Sequence, residues 1–211
     1  MVSRLAEIFD NKKIVEKIKK RLPYLFQLAE VESSRAGKIG MEVGSVREKI
    51  ITALLIHKFG EKNVETEIPI TKAEVDVVLF GEPISVKTIT SASFGGVKLI
   101  WTVDAQKAKE FKESYKPSCD ILFIQINWGG LGGFYYLPLE VQEKIFKEIG
   151  RENYIDLPKQ GTNPRGAEIS KDALTRLVKD PDSKNIQISW QKSKIDFNPY
   201  KRWVDHWSKE D

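Results

Sequence analysis

The sequence predicts an α/β fold, a mixed central β-sheet flanked by helices, on three observations. Segments with apolar residues at helical spacing alternate with segments whose period drops to two. Two of the period-two runs are separated only by the turn residues Gly81 and Glu82, a hairpin signal. No repeat, low-complexity tract or long linker divides the 211 residues, so residues 1–211 are expected to form one domain.

In chain order, Leu5–Leu28 reads as a lysine-rich helix carrying Ile8, Ile14, Ile18, Leu22, Leu25 and Leu28, broken or kinked at Pro23. Residues Glu30–Gly40 are small and polar and read as a loop. GSVREKIITALLIHKFG is a helix capped by Ser45, with Glu48 at the capping-box spacing and Gly60 as its stop. VETEIPI, EVDVVLF and PISVKTIT read as strands. Ser91–Val97 is a Ser/Gly loop, Ala105–Tyr115 a polar helix and Asp120–Asn127 a buried strand. GGLGG turns into the strand FYYLPL, which leads to a helix over Glu140–Ile149. Asp156–Glu168 is a loop, Ser170–Val178 a capped helix and Asn185–Trp190 the last strand. In the tail, Tyr200, Trp203 and Trp207 form a helical stripe expected to dock on the core or on a dimer partner.

Composition excludes several chemistries. One cysteine, Cys119, makes neither an internal disulfide nor a Cys-cluster zinc site. Two distant histidines, His57 and His206, argue against zincins and other His-rich metal sites. Runs such as Ile121–Ile126 fall far short of the roughly 20 apolar residues of a transmembrane helix. Charges in Met1–Asp10 stand where a signal peptide needs an apolar core. A soluble, cytoplasmic protein is expected. The net charge of +4 permits nucleic-acid binding without demanding it.

The segment with chemical content is EVDVVLFGEPISVKT, residues 74–88. A two-residue loop at Gly81–Glu82 pairs Phe80 with Pro83 and sets Asp76 directly opposite Lys87. A carboxylate and an ammonium then stand side by side on one sheet face, while Val75, Val77, Ile84 and Val86 fill the other. The competing reading is a plain cross-strand salt bridge, worth little at a surface. Against it, the flanking residues are strongly apolar, and Glu48 borders the apolar stripe of the preceding helix, placed to join the pair. Glu48 also reads as a simple capping-box glutamate.

Asp76, then Ser85-Val86-Lys87 on the next strand, after a helix carrying Glu48, resembles the core of the PD-(D/E)xK nuclease superfamily, which includes type II restriction endonucleases and archaeal Holliday-junction resolvases. The resemblance spans residues 44–115 and implies a restriction-endonuclease-like core with catalytic residues Asp76, Lys87, Glu48 and Ser85. Two departures stand out: Val75 occupies the proline position, and Ser85 the acidic position, an S-x-K variant that recruits its carboxylate from a helix. Glu48 is the first candidate for that carboxylate, Glu110 and Glu113 are substitutes, and Glu82 and Glu74 are weaker. The resemblance further implies Mg²⁺ held by Asp76, the Val86 carbonyl and Glu48, with Lys87 against the attacking water and a phosphate oxygen. A Ser85–Lys87 hydrolase is disfavoured for want of an oxyanion-hole motif.

Candidate DNA contacts are Ser91, Ser93 and Lys98 beyond Lys87, and Lys159, Gln160, Asn163 and Arg165 in KQGTNPRG, a loop rich in base-reading side chains. Met41 could wedge between base steps, although packing under its own loop is the simpler reading. Residues 156–211 are candidates for DNA-reading and dimerisation elements. The expected function is Mg²⁺-dependent, sequence-specific cleavage of double-stranded DNA by a type II restriction homodimer. The alternatives are a structure-specific nuclease such as a junction resolvase, and a non-catalytic DNA-binding protein on the same scaffold.

Overall fold

The computed structural model describes residues 3–35, 38–40, 42–69, 74–157 and 166–209. At its centre is a six-stranded mixed sheet of order β11-β8-β7-β5-β4-β3. Its strands are β3 (Val64–Glu65), β4 (Val77–Leu79), β5 (Glu82–Thr90), β7 (Asp120–Ile126), β8 (Leu131–Leu137) and β11 (Lys184–Ser189). Only β5 and β7 run parallel, joined by a crossover containing α4 (Ala105–Ser114). A small hairpin, β1 (Ser34–Arg35) with β2 (Lys38–Ile39), precedes the sheet. A separate three-stranded sheet joins β6 (Val97–Lys98), β10 (Glu168–Ile169) and β9 (Ile155–Asp156).

β7 is buried from end to end because both faces of the sheet are covered, which is why it reads as a continuous apolar run. Leu122, Ile124 and Ile126 face a layer built by α1 (Glu7–Asp10), α2 (Lys12–Glu32) and α3 (Val43–Phe59), which supplies Ile8, Ile18, Leu22, Phe26, Ile51 and Leu55. Ile121 and Phe123 face the opposite layer, where α5 (Leu139–Tyr154) and α6 (Lys171–Lys179) contribute Val141, Ile145, Leu174 and Leu177. Ser170 caps α6 by accepting from the Ala173 amide.

Several expectations need correction. α2 continues through Pro23 to Glu32, because its buried stripe from Ile14 to Phe26 and Ala29 runs across the proline and outweighs the lost hydrogen bond. This absorbs the start of the expected loop at Glu30–Gly40. α3 begins at Val43, with Glu42 as N-cap and no side-chain cap, so Ser45 lies inside the helix and the Ser45–Glu48 capping box does not form. Of the three period-two runs, PISVKTIT forms the long strand β5, while the first two yield only the short strands Val64–Glu65 and Val77–Leu79. The aromatic tail forms α7 (Lys201–Trp207) but does not dock on the core: Trp207 is 85% exposed and no residue of α7 is buried.

The β4–β5 hairpin turns one residue earlier than the sequence suggests. Leu79 pairs with Glu82, so the loop is Phe80–Gly81. Both residues have positive φ (50° and 83°), as a type I′ turn requires. Phe80 is an unusual occupant; its ring meets Phe59 edge-on at 5.7 Å and lies under the Arg4 guanidinium at 5.0 Å, contacts that offset the backbone strain. The register moves by two residues, which leaves every side chain on its expected face. Asp76 now meets Ser85, and Lys87 becomes its diagonal neighbour.

α2 and α3 are joined by a buried ion pair. Arg47 Nη2 donates to Glu30 Oε1 at 2.5 Å, and the Trp128 indole N–H donates to the same oxygen at 2.9 Å. Burial lowers the Arg47 pKa, countered by the Glu30 charge and hydrogen bond. Because removal of one partner strands a buried charge, Glu30→Ala should lower unfolding free energy by about 3–5 kcal/mol. Urea titration measures this; a loss under about 1 kcal/mol would show that water reaches Arg47 and replaces the pair.

Candidate active site

Asp76 sits just before β4, where its main chain leaves the ladder. Its N–H donates to the Ile84 carbonyl at 2.9 Å. In return the Val86 N–H donates not to a carbonyl but to Asp76 Oδ2, at 2.6 Å. Ser85 Oγ donates to the same oxygen at 3.1 Å. Lys87 Nζ lies 3.7 Å from it. The carboxylate thus replaces a backbone acceptor and is held by the strand it faces, while Oδ1 accepts nothing from the described residues. The Asp76 and Lys87 side chains keep 21% and 14% exposure, enough to face solvent without being mobile surface groups.

Both groups line a cleft of about 890 Å³ with Glu48 from the second turn of α3. Without a capping role, Glu48 points into this cleft and makes no hydrogen bond or ion pair with the described residues. Burial raises its carboxyl pKa, Asp76 adds repulsion and Lys87 pulls the other way. The expected trio therefore meets in one place. Glu110 and Glu113 do not join it: they lie on the exposed face of α4, beside Gln106 and Lys109 respectively. Glu82 accepts from Ser3 on a different part of the surface.

Ser85 is 1% exposed, with its hydroxyl committed to Asp76, so it faces no substrate and the Ser85–Lys87 hydrolase has no accessible nucleophile. Burial pushes the Cys119 thiol up to about 12, with Glu74 reinforcing the shift, which leaves it unreactive. Ser91 and Ser93 lie in the bend after β5, where the Ser93 N–H donates to Ser91 Oγ at 3.2 Å. Lys98 lines the far wall of the cleft. Met41, Lys159, Gln160, Asn163 and Arg165 lie outside the described residues.

Glu74 is more involved than its spacing suggests. It is tucked behind Asp76, accepts from Ser118 Oγ at 2.9 Å, and leaves Oε1 buried without a partner among the described residues. Burial raises its pKa, opposed by the Ser118 hydrogen bond and Lys87, with Asp76 adding to the rise. Its position two residues from Asp76 gave no sign of this, because in a regular strand it would share Asp76's face rather than turn beneath it.

The donor set suits a hard divalent cation. Two carboxylates with unpartnered oxygens share one cleft, and Glu48 is raised by burial and by Asp76, a strain that a cation would relieve. Among the described residues no cluster of three or more His, Cys, Asp or Glu is assembled, so an all-protein cage of that kind is absent. Mg²⁺ is commonly held by one or two carboxylates and otherwise by water and phosphate oxygens.

The raised Glu48 pKa has a definite sign. Folding favours the protonated form, a contribution present below the ordinary carboxylate pKa and lost as pH rises through the raised value. Without divalent metal, Glu48→Gln should therefore gain stability over the native chain at neutral pH, and the gap should close below about pH 4. Thermal melts across that range test it; a gap independent of pH would sink the assignment.

Comparison with known proteins identifies the family and the fold. The family model for restriction endonuclease ThaI matches residues 8–209. A solved structure described as a restriction endonuclease in complex with substrate DNA is 58% identical, covers 98% of this chain and 100% of its own, and superposes with a TM-score of 0.92. Among curated proteins none matches. The fold is that of a restriction endonuclease, and the chain belongs to the ThaI restriction endonuclease family.

Proposed function

We propose that this chain is a Mg²⁺-dependent type II restriction endonuclease that cuts both strands of a specific duplex sequence from the Asp76–Glu48–Lys87 cleft. The observation that carries this reading is Asp76, locked by Val86 and Ser85 with one oxygen left open, 3.7 Å from Lys87 in a cleft shared with Glu48. The substrate DNA bound by the 58% identical structure supports DNA as the substrate. Family membership favours this reading over a junction resolvase or an inert scaffold.

Asp76 and Glu48, with the Val86 carbonyl, would hold the metal. Bound there, Mg²⁺ would supply charge neutralisation at the scissile phosphate and favour hydroxide over water. Lys87 orients the attacking water, donates to a phosphate oxygen and stabilises the negative charge that builds as the phosphorus becomes five-coordinate. Ser85 and the Val86 N–H keep the Asp76 carboxylate aimed. The chain acts as a single domain, with residues 44–115 as the catalytic core and 156–211 supplying DNA-reading and dimerisation elements. Two such sites related by a two-fold axis match the two strands of a palindrome. The exposed aromatic stripe of α7 is available for that pairing, and the cytoplasm is the proposed compartment.

Plasmid digestion tests the reading. Discrete fragments should appear with Mg²⁺, vanish with a chelator and return when Mg²⁺ is restored. Asp76→Ala and Lys87→Ala should each slow cleavage by about 100-fold or more, and Glu48→Gln should weaken the response to Mg²⁺. Full activity in Asp76→Ala or Lys87→Ala would remove this cleft as the active site. Sedimentation at micromolar concentration should give a dimer; a monomer that still cuts both strands at one site would overturn the two-fold arrangement.

A further inference from the structure

The wall of the cleft facing Asp76 belongs to the small β6-β10-β9 sheet. There Lys98 and Glu168 are directly paired across β6 and β10, with Lys98 Nζ 2.6 Å from Glu168 Oε1. The Lys98 ammonium also lies 5.3 Å from the ring centre of Trp101, which is 52% exposed. All three residues line the cleft. The pair remains open, with side-chain exposures of 37% and 34%, and Glu168 Oε2 accepts no hydrogen bond from the described residues.

The wall is tightly built. The Leu99 N–H donates to the Ala167 carbonyl at 2.9 Å. Gly166 has a φ of 96°, and any side chain there would collide with the Ile100 carbonyl. A side chain at Gly96 would strike the Glu168 carboxylate, so the glycine makes room for this rotamer.

We propose that the Lys98–Glu168 pair, steadied by Trp101, is a base-reading element that recognises one C·G base pair in the duplex. The inference rests on the function proposed above. A lysine donates to guanine O6 and N7, and a carboxylate accepts from cytosine N4–H₂, so a donor and an acceptor side by side match the edge of that pair. Held in advance by the indole, the cross-strand contact and two glycines, the groups lose little freedom on binding. A serine or threonine in their place would accept either base pattern. With the ammonium on guanine O6 and N7 and the carboxylate on cytosine N4–H₂, an A·T replacement would turn its adenine N6–H₂ donor toward the ammonium and its thymine O4 acceptor toward the carboxylate, two mismatched contacts.

The test uses duplexes carrying each single base-pair replacement in the site found by plasmid digestion, with Glu168→Gln and the double variant Lys98→Glu/Glu168→Lys. The double variant keeps a cross-strand ion pair, so a merely structural role predicts native thermal stability and native preference. Base reading predicts native thermal stability with the preference for C·G reduced about 10-fold or more at one position in both variants. Preference is read as relative cleavage rate, and as binding affinity in an Asp76→Ala background, so failure of the proposed catalytic centre does not mask the result. Unchanged preference in both variants overturns the proposal. So does an equal loss on every duplex, the mark of a phosphate contact.

Discussion

The arrangement of the site depends on one substitution within the sheet: the Asp76 carboxylate takes the place of a backbone acceptor for the Val86 N–H. A short charge-assisted bond to a strand buried on both faces is worth more than the same contact at a surface, because no water competes for the donor. It settles which carboxylate oxygen turns inward and which is left open. It also fixes Asp76 to the strand that carries Lys87, so the acid and the base move as one body. Ser85 completes this anchor, which gives a physical sense to a serine at a position where the resemblance expects an acid.

Glu48 is placed by different means. It rides on α3, whose first turns are tied to α2 by the Arg47–Glu30 pair and packed on the sheet through Ile51 and Leu55. The residue next to Glu48 is thus the most deeply anchored charge of that helix. Glu48 itself has no hydrogen-bond or ion-pair partner among the described residues and lies half-buried beside another carboxylate. A carboxylate held in so unfavourable a setting is costly to keep charged, and a cation in the cleft would lower that cost.

Much of this was legible in the residue order. Alternation around Asp76 and Lys87 placed them on one face, and the actual register differs from the expected one by two residues, a shift that preserves the face; this is why the hairpin expectation failed in its turn and still brought Asp76 and Lys87 together. Glu48 followed from its position at the border of an apolar stripe. The misreadings share a cause. Pro23, Ser45 and the Gly81–Glu82 turn are local signals, and each was overruled by burial of a longer apolar pattern or by contacts from distant residues such as Arg4 and Phe59 on Phe80.

By itself, then, the sequence determined the α/β class, the face shared by Asp76 and Lys87, and a candidate site of oxygen donors, because periodicity and side-chain chemistry are local properties. Only the tertiary structure decided which acid shares the cleft with Asp76 and Lys87, that Ser85 anchors Asp76, that Glu74 lies buried behind it, and that Lys98 and Glu168 line the same cleft. Those outcomes depend on segments up to about seventy positions apart being pressed together by the core, and no local pattern encodes that distance.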